Sequence, residues 1–304
     1  MVLKSEKEQR LLNASKTFDS GLSRFNLSAW DEILASNVVL HKDGITLFDD
    51  LHGRNVVKGY FQAYIDRYHY EHVPIAGAVD EPSHIAFSFH VDKDVTPKKG
   101  AYQGQHAAGE AKPTNTLGIF YLHFNHEERV REIFFLRQLS HDEAARKLKT
   151  IPDYSKMSID DALKYRGSAD QSEERAQKHD HVASIYNHIW ATGDVSQADQ
   201  IFAKDVSTYN LIYGGEKEGL ESFKSMVSGI FKEYEVKDNK STVAVSAGNK
   251  AFIFWRITGV YQSEWTQNFG LSLLVFNTAD KIQEVLTFMT PFSSMRHQLL
   301  KGEE

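Results

Sequence analysis

The sequence predicts an α+β chain of two tandem domains, each with three N-terminal helices packed on a mostly antiparallel sheet. Three observations carry that expectation. The segment NLSAWDEILASNV at 26–38 recurs as DVSQADQIFAKDV at 194–206, matching Ser28/Ser196, Asp31/Asp199, Ile33/Ile201, Ala35/Ala203 and Val38/Val206 without a gap. NTLGIFYLHFNHEERVREI at 115–133 lies on QNFGLSLLVFNTADKIQEV at 267–285 through Gly118/Gly270, Phe124/Phe276, Asn125/Asn277 and Glu132/Glu284. Within each copy the apolar period then falls from three or four residues to two, the change expected where helices give way to strands.

The elements follow in order. Leu11, Ala14, Phe18, Leu22 and Phe25 form one stripe of a first helix, and Val182, Ile185 and Ile189 repeat it in the second copy, where Gly193 supplies a stop. Ser28 and Ser196 read as N-caps of a short second helix. A third helix begins after Gly53 with Val57, Phe61 and Ile65, and after Gly219 with Phe223, Val227 and Phe231. Alternation then marks strands near 84–92, 116–125 and 129–138, and near 250–262, 267–277 and 281–290. The domains are expected at 1–140 and 174–304, joined by a polar linker at 141–173 whose SIDD segment at Ser158 starts a short helix. The first copy carries an insertion near 92–113, with Gly100, Gly104 and Gly109 around His106, which reads as a mobile lid over a pocket.

Composition narrows the function. With Lys+Arg 35 against Asp+Glu 41, the chain lacks the basic surplus of a nucleic-acid binder. Cysteine is absent, which excludes thiolate metal sites and a cysteine nucleophile and suits a cytoplasmic location. The first ten residues are charged, and no apolar run approaches the roughly 20 residues that span a bilayer. The glycine fingerprints of nucleotide sites and the GxSxG elbow are missing, so no cofactor is expected.

Helix, short helix, helix and then a curved sheet resembles the nuclear transport factor 2-like superfamily, and within it the SnoaL-like polyketide cyclases. The resemblance rests on the helix starts at Gly53 and Gly219, on FSFHVDKD to TNTLGIFYLHF and FWRITGVYQSEW to NFGLSLLVF, and on the closing VREIFFLRQ and IQEVLTFMT strands. It implies two cone-shaped domains and a pocket that serves cyclases, isomerases, dehydratases and non-catalytic binders alike. Family members are similar in ending the last strand with a carboxylate. Here Gln138 and Thr290 stand in its place, and neither can act as a general base. Glu132 and Glu284, the family-like carboxylates that remain, read as structural.

Candidate chemistry concentrates in the first copy. His84, Ala86, Ser88, His90 and Asp92 share one face of a strand, so Asp92 can orient His90 as a general base. Tyr121 and His123 stand where the second copy has Leu273 and Val275, and Arg137 where it has Met289. The candidate catalytic set is therefore His90, Asp92, His123 and Tyr121. Arg137 and His106 are candidate substrate contacts, joined from the second copy by Arg256, aligned opposite His90, and by Tyr213 and Trp265. No metal is expected, because the histidines are dispersed and His69 and His72 read as a helix-end pair. The expected function is a cofactor-free enzyme of the cyclase, isomerase or dehydratase type, shuttling protons on a small, largely apolar or aromatic molecule in the first domain. The alternative is a non-catalytic binding or assembly module. The two sheets are expected to pair as an intramolecular pseudo-dimer, with a higher oligomer open.

Overall fold

A computed structural model describes residues 6–42, 50–80, 85–98, 114–139, 172–210, 216–246, 249–261 and 263–290. The chain divides into two compact units, one built from the first copy and one from the second. The expected linker helix, most of the 92–113 insertion with His106, and Tyr213 lie outside the described residues.

The first unit runs α1 (Glu6–Ser23), a 3-10 turn (Leu27–Ala29), α2 (Trp30–Ile33), β1 (Leu34–His41), β2 (Leu51–His52), α3 (Arg54–Arg67), β3 (Tyr68–Asp80), β4 (Ile85–Pro97), β5 (Thr116–Phe124) and β6 (Val130–Arg137). The second repeats the order as α4 (Glu173–Thr192), α5 (Ala198–Ile201), β7 (Phe202–Asn210), β8 (Glu216–Glu218), α6 (Leu220–Glu233), β9 (Tyr234–Ser246), β10 (Lys250–Tyr261), β11 (Glu264–Phe276) and β12 (Ile282–Met289). The sheets are ordered β2-β1-β6-β5-β4-β3 and β8-β7-β12-β11-β10-β9. All neighbours are antiparallel except β1/β6 and β7/β12. The α+β reading holds, with β1 and β7 placed between the second and third helices of each copy.

Local chemistry explains the shared geometry. Gly53 and Gly219 start their helices at φ of 92° and 86°, where a side chain would strain the backbone, and their N–H groups donate to Val38 and Val206 carbonyls at 2.8 Å. Gly193 closes α4 in the left-handed conformation. Neither expected serine caps a helix: α2 and α5 start after Ala29 and Gln197 with no side-chain cap, Asn26 caps the 3-10 turn by accepting from the Ser28 N–H, and Asp194 accepts from the Ser196 N–H in the matching turn of the second copy. An Asx oxygen reaches the N–H two residues on, so the serine supplies the donor instead of the cap. Phe25 falls beyond α1 at φ 52° and is 47% exposed, because the chain reverses before its turn of the stripe is completed.

Each sheet presents one face to its helices. In the first unit Phe18, Trp30 and Phe61 from the helices pack with Phe120, Leu122 and Phe135 from the sheet. Alternation assigns Ala86, Ser88, His90 and Asp92 to that same face, and Phe87, Phe89 and Val91 to the other. Gln138 and Thr290, in place of the expected closing carboxylate, tie strand ends. Gln138 Oε1 accepts from Leu117 N–H at 2.8 Å, and Thr290 Oγ1 accepts from Phe269 N–H at 3.1 Å.

Candidate functional site

The helix-facing interior differs between the copies, and strand register sets the correspondence. His90 pairs with Gly118 and Trp255 pairs with Gly270, so Trp255 is the counterpart of His90. Arg256, aligned with His90 from sequence, falls one residue on and points to the opposite face of β10. Both glycines make room for the ring across from them: a Cβ on Gly118 would sit 2.3 Å from His90 Cε1, and one on Gly270 would sit 2.0 Å from Trp255 Cζ2.

In the first copy the interior holds a buried charged network. The His72 Nδ1–H donates to Asp92 Oδ1 at 2.7 Å, and Nε2 faces Asp19 Oδ1 at 3.3 Å. Ser88 Oγ donates to the other Asp19 oxygen at 2.6 Å. His90 Nε2 lies 3.8 Å from Asp92 Oδ2, beyond hydrogen-bond reach, and its buried Nδ1 has no hydrogen-bond partner. Arg137 is buried on the same face, with Nη1 donating to the Gln138 carbonyl at 2.9 Å and its guanidinium 5.5 Å from the centre of the Tyr64 ring.

Charge is matched within this network. Burial alone would lower the His72 pKa, but Asp92 and Asp19 outweigh it and raise it to about 9, so His72 is an imidazolium at neutral pH. Burial, reinforced by the charge of His72, pushes His90 down to about 4 and keeps it neutral. Burial disfavours the Asp92 carboxylate, yet His72, His90 and Arg137 hold its pKa below the ordinary value. Two carboxylates thus face two cations. His72, His90 and Asp92 also offer metal-ligand atoms within 4.8 Å of one another. Both nitrogens of His72 are already engaged by carboxylates, so a proton does there what a cation would do.

The remaining sequence candidates separate. Tyr121 pairs with Phe87, and His123 with Ile85, which puts both on the face of the sheet opposite His90. Tyr121 packs against Phe87 and Phe134 at centroid distances of 4.9 and 5.4 Å. His123 Nδ1 meets Glu132 Oε2 at 2.7 Å, a cross-strand pair that gives Glu132 a structural role. His90, Asp92 and Arg137 come together; Tyr121 and His123 do not join them. Trp265 is 65% exposed. Asp92 to Pro97, read as the start of the lid, continues β4.

Two members of the network were missed from sequence. His72 lies on β3, not at a helix end, and the alternation of buried Tyr68, Tyr70 and His72 with exposed His69 and Glu71 was the available signal. Asp19 sits beside Phe18 on the buried side of α1, a carboxylate within an apolar stripe.

In the second copy the same interior is open. A cavity of about 380 Å³, within the range of small-molecule sites, is lined by Tyr186, Trp190, Phe223, Phe231, Trp255 and Met289 among others. Its polar lining includes Thr208, Asn210, Lys217, Asn268, Ser272 and Thr287. Trp255 Nε1 donates to Ser272 Oγ at 3.2 Å, and the Ser272 and Thr287 hydroxyls lie 3.3 Å apart. Register identifies the first-copy counterparts of Thr208, Ser272 and Thr287 as Leu40, Phe120 and Phe135. In the first copy those rings fill the space, with Phe120 and Phe135 stacked at 4.4 Å and His90 on Phe120 at 4.9 Å. No carboxylate or imidazole lines the cavity among the described residues.

No family model matches the chain, and no curated protein matches it. Solved structures are similar in backbone arrangement. A candidate SnoaL-like polyketide cyclase from Mesorhizobium loti is 15% identical over 36% of this chain and 96% of its own, at a TM-score of 0.32. A steroid delta-isomerase from Pseudomonas aeruginosa is 12% identical over 41% of this chain and 88% of its own, also at 0.32. An NTF2-like protein from Anabaena variabilis is 14% identical over 41% and 96%, at 0.34. At these identities their activities stay with those proteins. No helix among the described residues is long and apolar enough to cross a membrane.

Proposed function

We propose that this chain binds a small, largely apolar organic molecule in the cavity of its second domain. The observation that carries the proposal is the exchange of Leu40, Phe120 and Phe135 for Thr208, Ser272 and Thr287 at matched interior positions. Large apolar groups give way to short polar ones where the fold otherwise fills its core, and an interior left open in this way loses packing energy unless something occupies it. Aromatic walls with a few hydroxyls suit a flat ligand held mainly by burial and oriented by one or two hydrogen bonds. Four tryptophans allow a direct test. Trp190 and Trp255 line the cavity, whereas Trp30 is packed in the first unit and Trp265 is exposed. Titration with 2-naphthalenemethanol should shift the indole N–H resonances of Trp190 and Trp255 and leave the other two in place. Equal shifts at all four, or none, count against the cavity.

A catalytic reading in the first domain has one observation in its favour: His90 is a neutral imidazole with a buried nitrogen that accepts no hydrogen bond. Its 1% exposure and the rings of Phe120, Phe135 and His72 around it favour binding in the second domain over proton transfer here. On the catalytic reading His90→Ala removes turnover by roughly 10²-fold or more. Turnover within threefold of wild type would exclude it.

A further inference from the structure

The cavity of the second domain has a direction. Lys217 on β8 stands opposite Thr208 on β7, which pairs in turn with Val285 on β12. Two residues along the same strands, Asn210 pairs with Thr287, and Thr287 with Ser272 on β11. Residues two apart on a strand share a face, so Lys217, Thr208, Asn210, Thr287 and Ser272 form a polar stripe across four adjacent strands. All five line the cavity. The stripe begins at an exposed ammonium and ends where Ser272 accepts from the Trp255 indole.

The first copy shows that this stripe is not a requirement of the fold. The counterpart of Lys217 is Leu51, which pairs with Leu40 and packs against the core of its own unit. Where the first copy has a core-directed leucine, the second has a lysine at the edge of an aromatic chamber. Among the described lining residues Lys217 is the one formal charge, and no carboxylate accompanies it. An ammonium at the rim of an apolar cavity, followed inward by hydroxyl and amide donors, is complementary to an anionic head on an apolar body.

We infer that the ligand of the second domain is an amphipathic carboxylic acid, its flat apolar body against Tyr186, Phe223 and Trp255 and its carboxylate at Lys217. This rests on the cavity being the binding site. Calorimetric titration of the full chain with three probes that share one ring system separates the two claims: 2-naphthoate, 2-naphthalenemethanol and 2-naphthylmethylammonium. The carboxylate should bind about tenfold more tightly than the alcohol, the gain of a charge-assisted hydrogen bond, and the ammonium should bind least. Lys217→Gln should reduce the carboxylate-over-alcohol preference to within threefold, and Lys217→Glu should invert the order of the two charged probes. Equal affinities for all three probes, or a carboxylate preference that survives Lys217→Gln, would overturn the inference while leaving the cavity as the site. Failure of every probe to bind would overturn both.

Discussion

Replacing Ser272 and Thr287 with the phenylalanines found at the matched positions of the first copy should close the cavity without unfolding the domain. Each buried phenyl group contributes about 1.5–3 kcal/mol where space for it exists. The space is available: the cavity measures about 380 Å³, and the first copy accommodates the same two rings in a stack at 4.4 Å and 11° between planes. Against this gain stand the hydrogen bonds at 3.2 and 3.3 Å that vanish, and the Trp255 Nε1 left without Ser272. Such an orphaned group costs about 1–3 kcal/mol, so gain and loss nearly cancel and stability should stay within about 2 kcal/mol of the parent. Binding should not survive, because the rings occupy the volume the ligand needs. Urea unfolding measures the first quantity, and calorimetric titration with 2-naphthalenemethanol the second. Probe affinity within threefold of the parent in a folded Ser272→Phe/Thr287→Phe chain would refute the assignment of the cavity. A single Thr287→Phe chain carries the same test should the double variant fail to fold.

The network of the first copy should give stability a maximum near pH 6.5. The folded pKa of His72 is raised to about 9, so its contribution is complete below 6.5 and is lost as pH rises through 9; that of His90 is lowered to about 4, so stability falls as pH drops from 6.5 through 4. Chemical denaturation between pH 4 and 9 that shows no decline on the alkaline side would remove the charged His72. Independently, His72→Ala leaves Asp19 and Asp92 buried without the imidazolium between them and should cost about 3–5 kcal/mol in urea unfolding, the usual effect of breaking a buried pair. A loss under about 1 kcal/mol would show that the carboxylates are compensated elsewhere.

The repeat made the fold legible, because matched residues such as Gly53/Gly219 and Gly118/Gly270 carry backbone requirements that are the same in both copies. β3 and β9 were less visible. In β3 the strand follows α3 without a turn, and the histidines at its start look like helix-end partners until the buried Tyr68, Tyr70 and His72 are seen to alternate. The His90–Asp92 pairing of faces was readable from a period of two, and so was the separation of even from odd positions on β5, but not the register between strands. That register decides that Tyr121 and His123 lie behind the sheet from His90 and that Trp255, not Arg256, is its counterpart. The cavity itself was the least legible. It arises from what three residues lack in volume, and a missing phenyl group becomes a signal only when the position that should hold it is known.

Gly118 and Gly270 define a socket common to the two copies. By leaving a gap in one strand, each lets the facing residue lay its ring across the neighbour, and the same gap accommodates an imidazole in one copy and an indole in the other. The backbone pays nothing for the exchange. Such a socket allows the chemistry facing the interior to differ between the copies while the sheet keeps its pairing. It also marks where new reactivity could be installed: an imidazole in the socket opposite Gly270 would meet an open chamber, whereas the native one opposite Gly118 meets stacked rings.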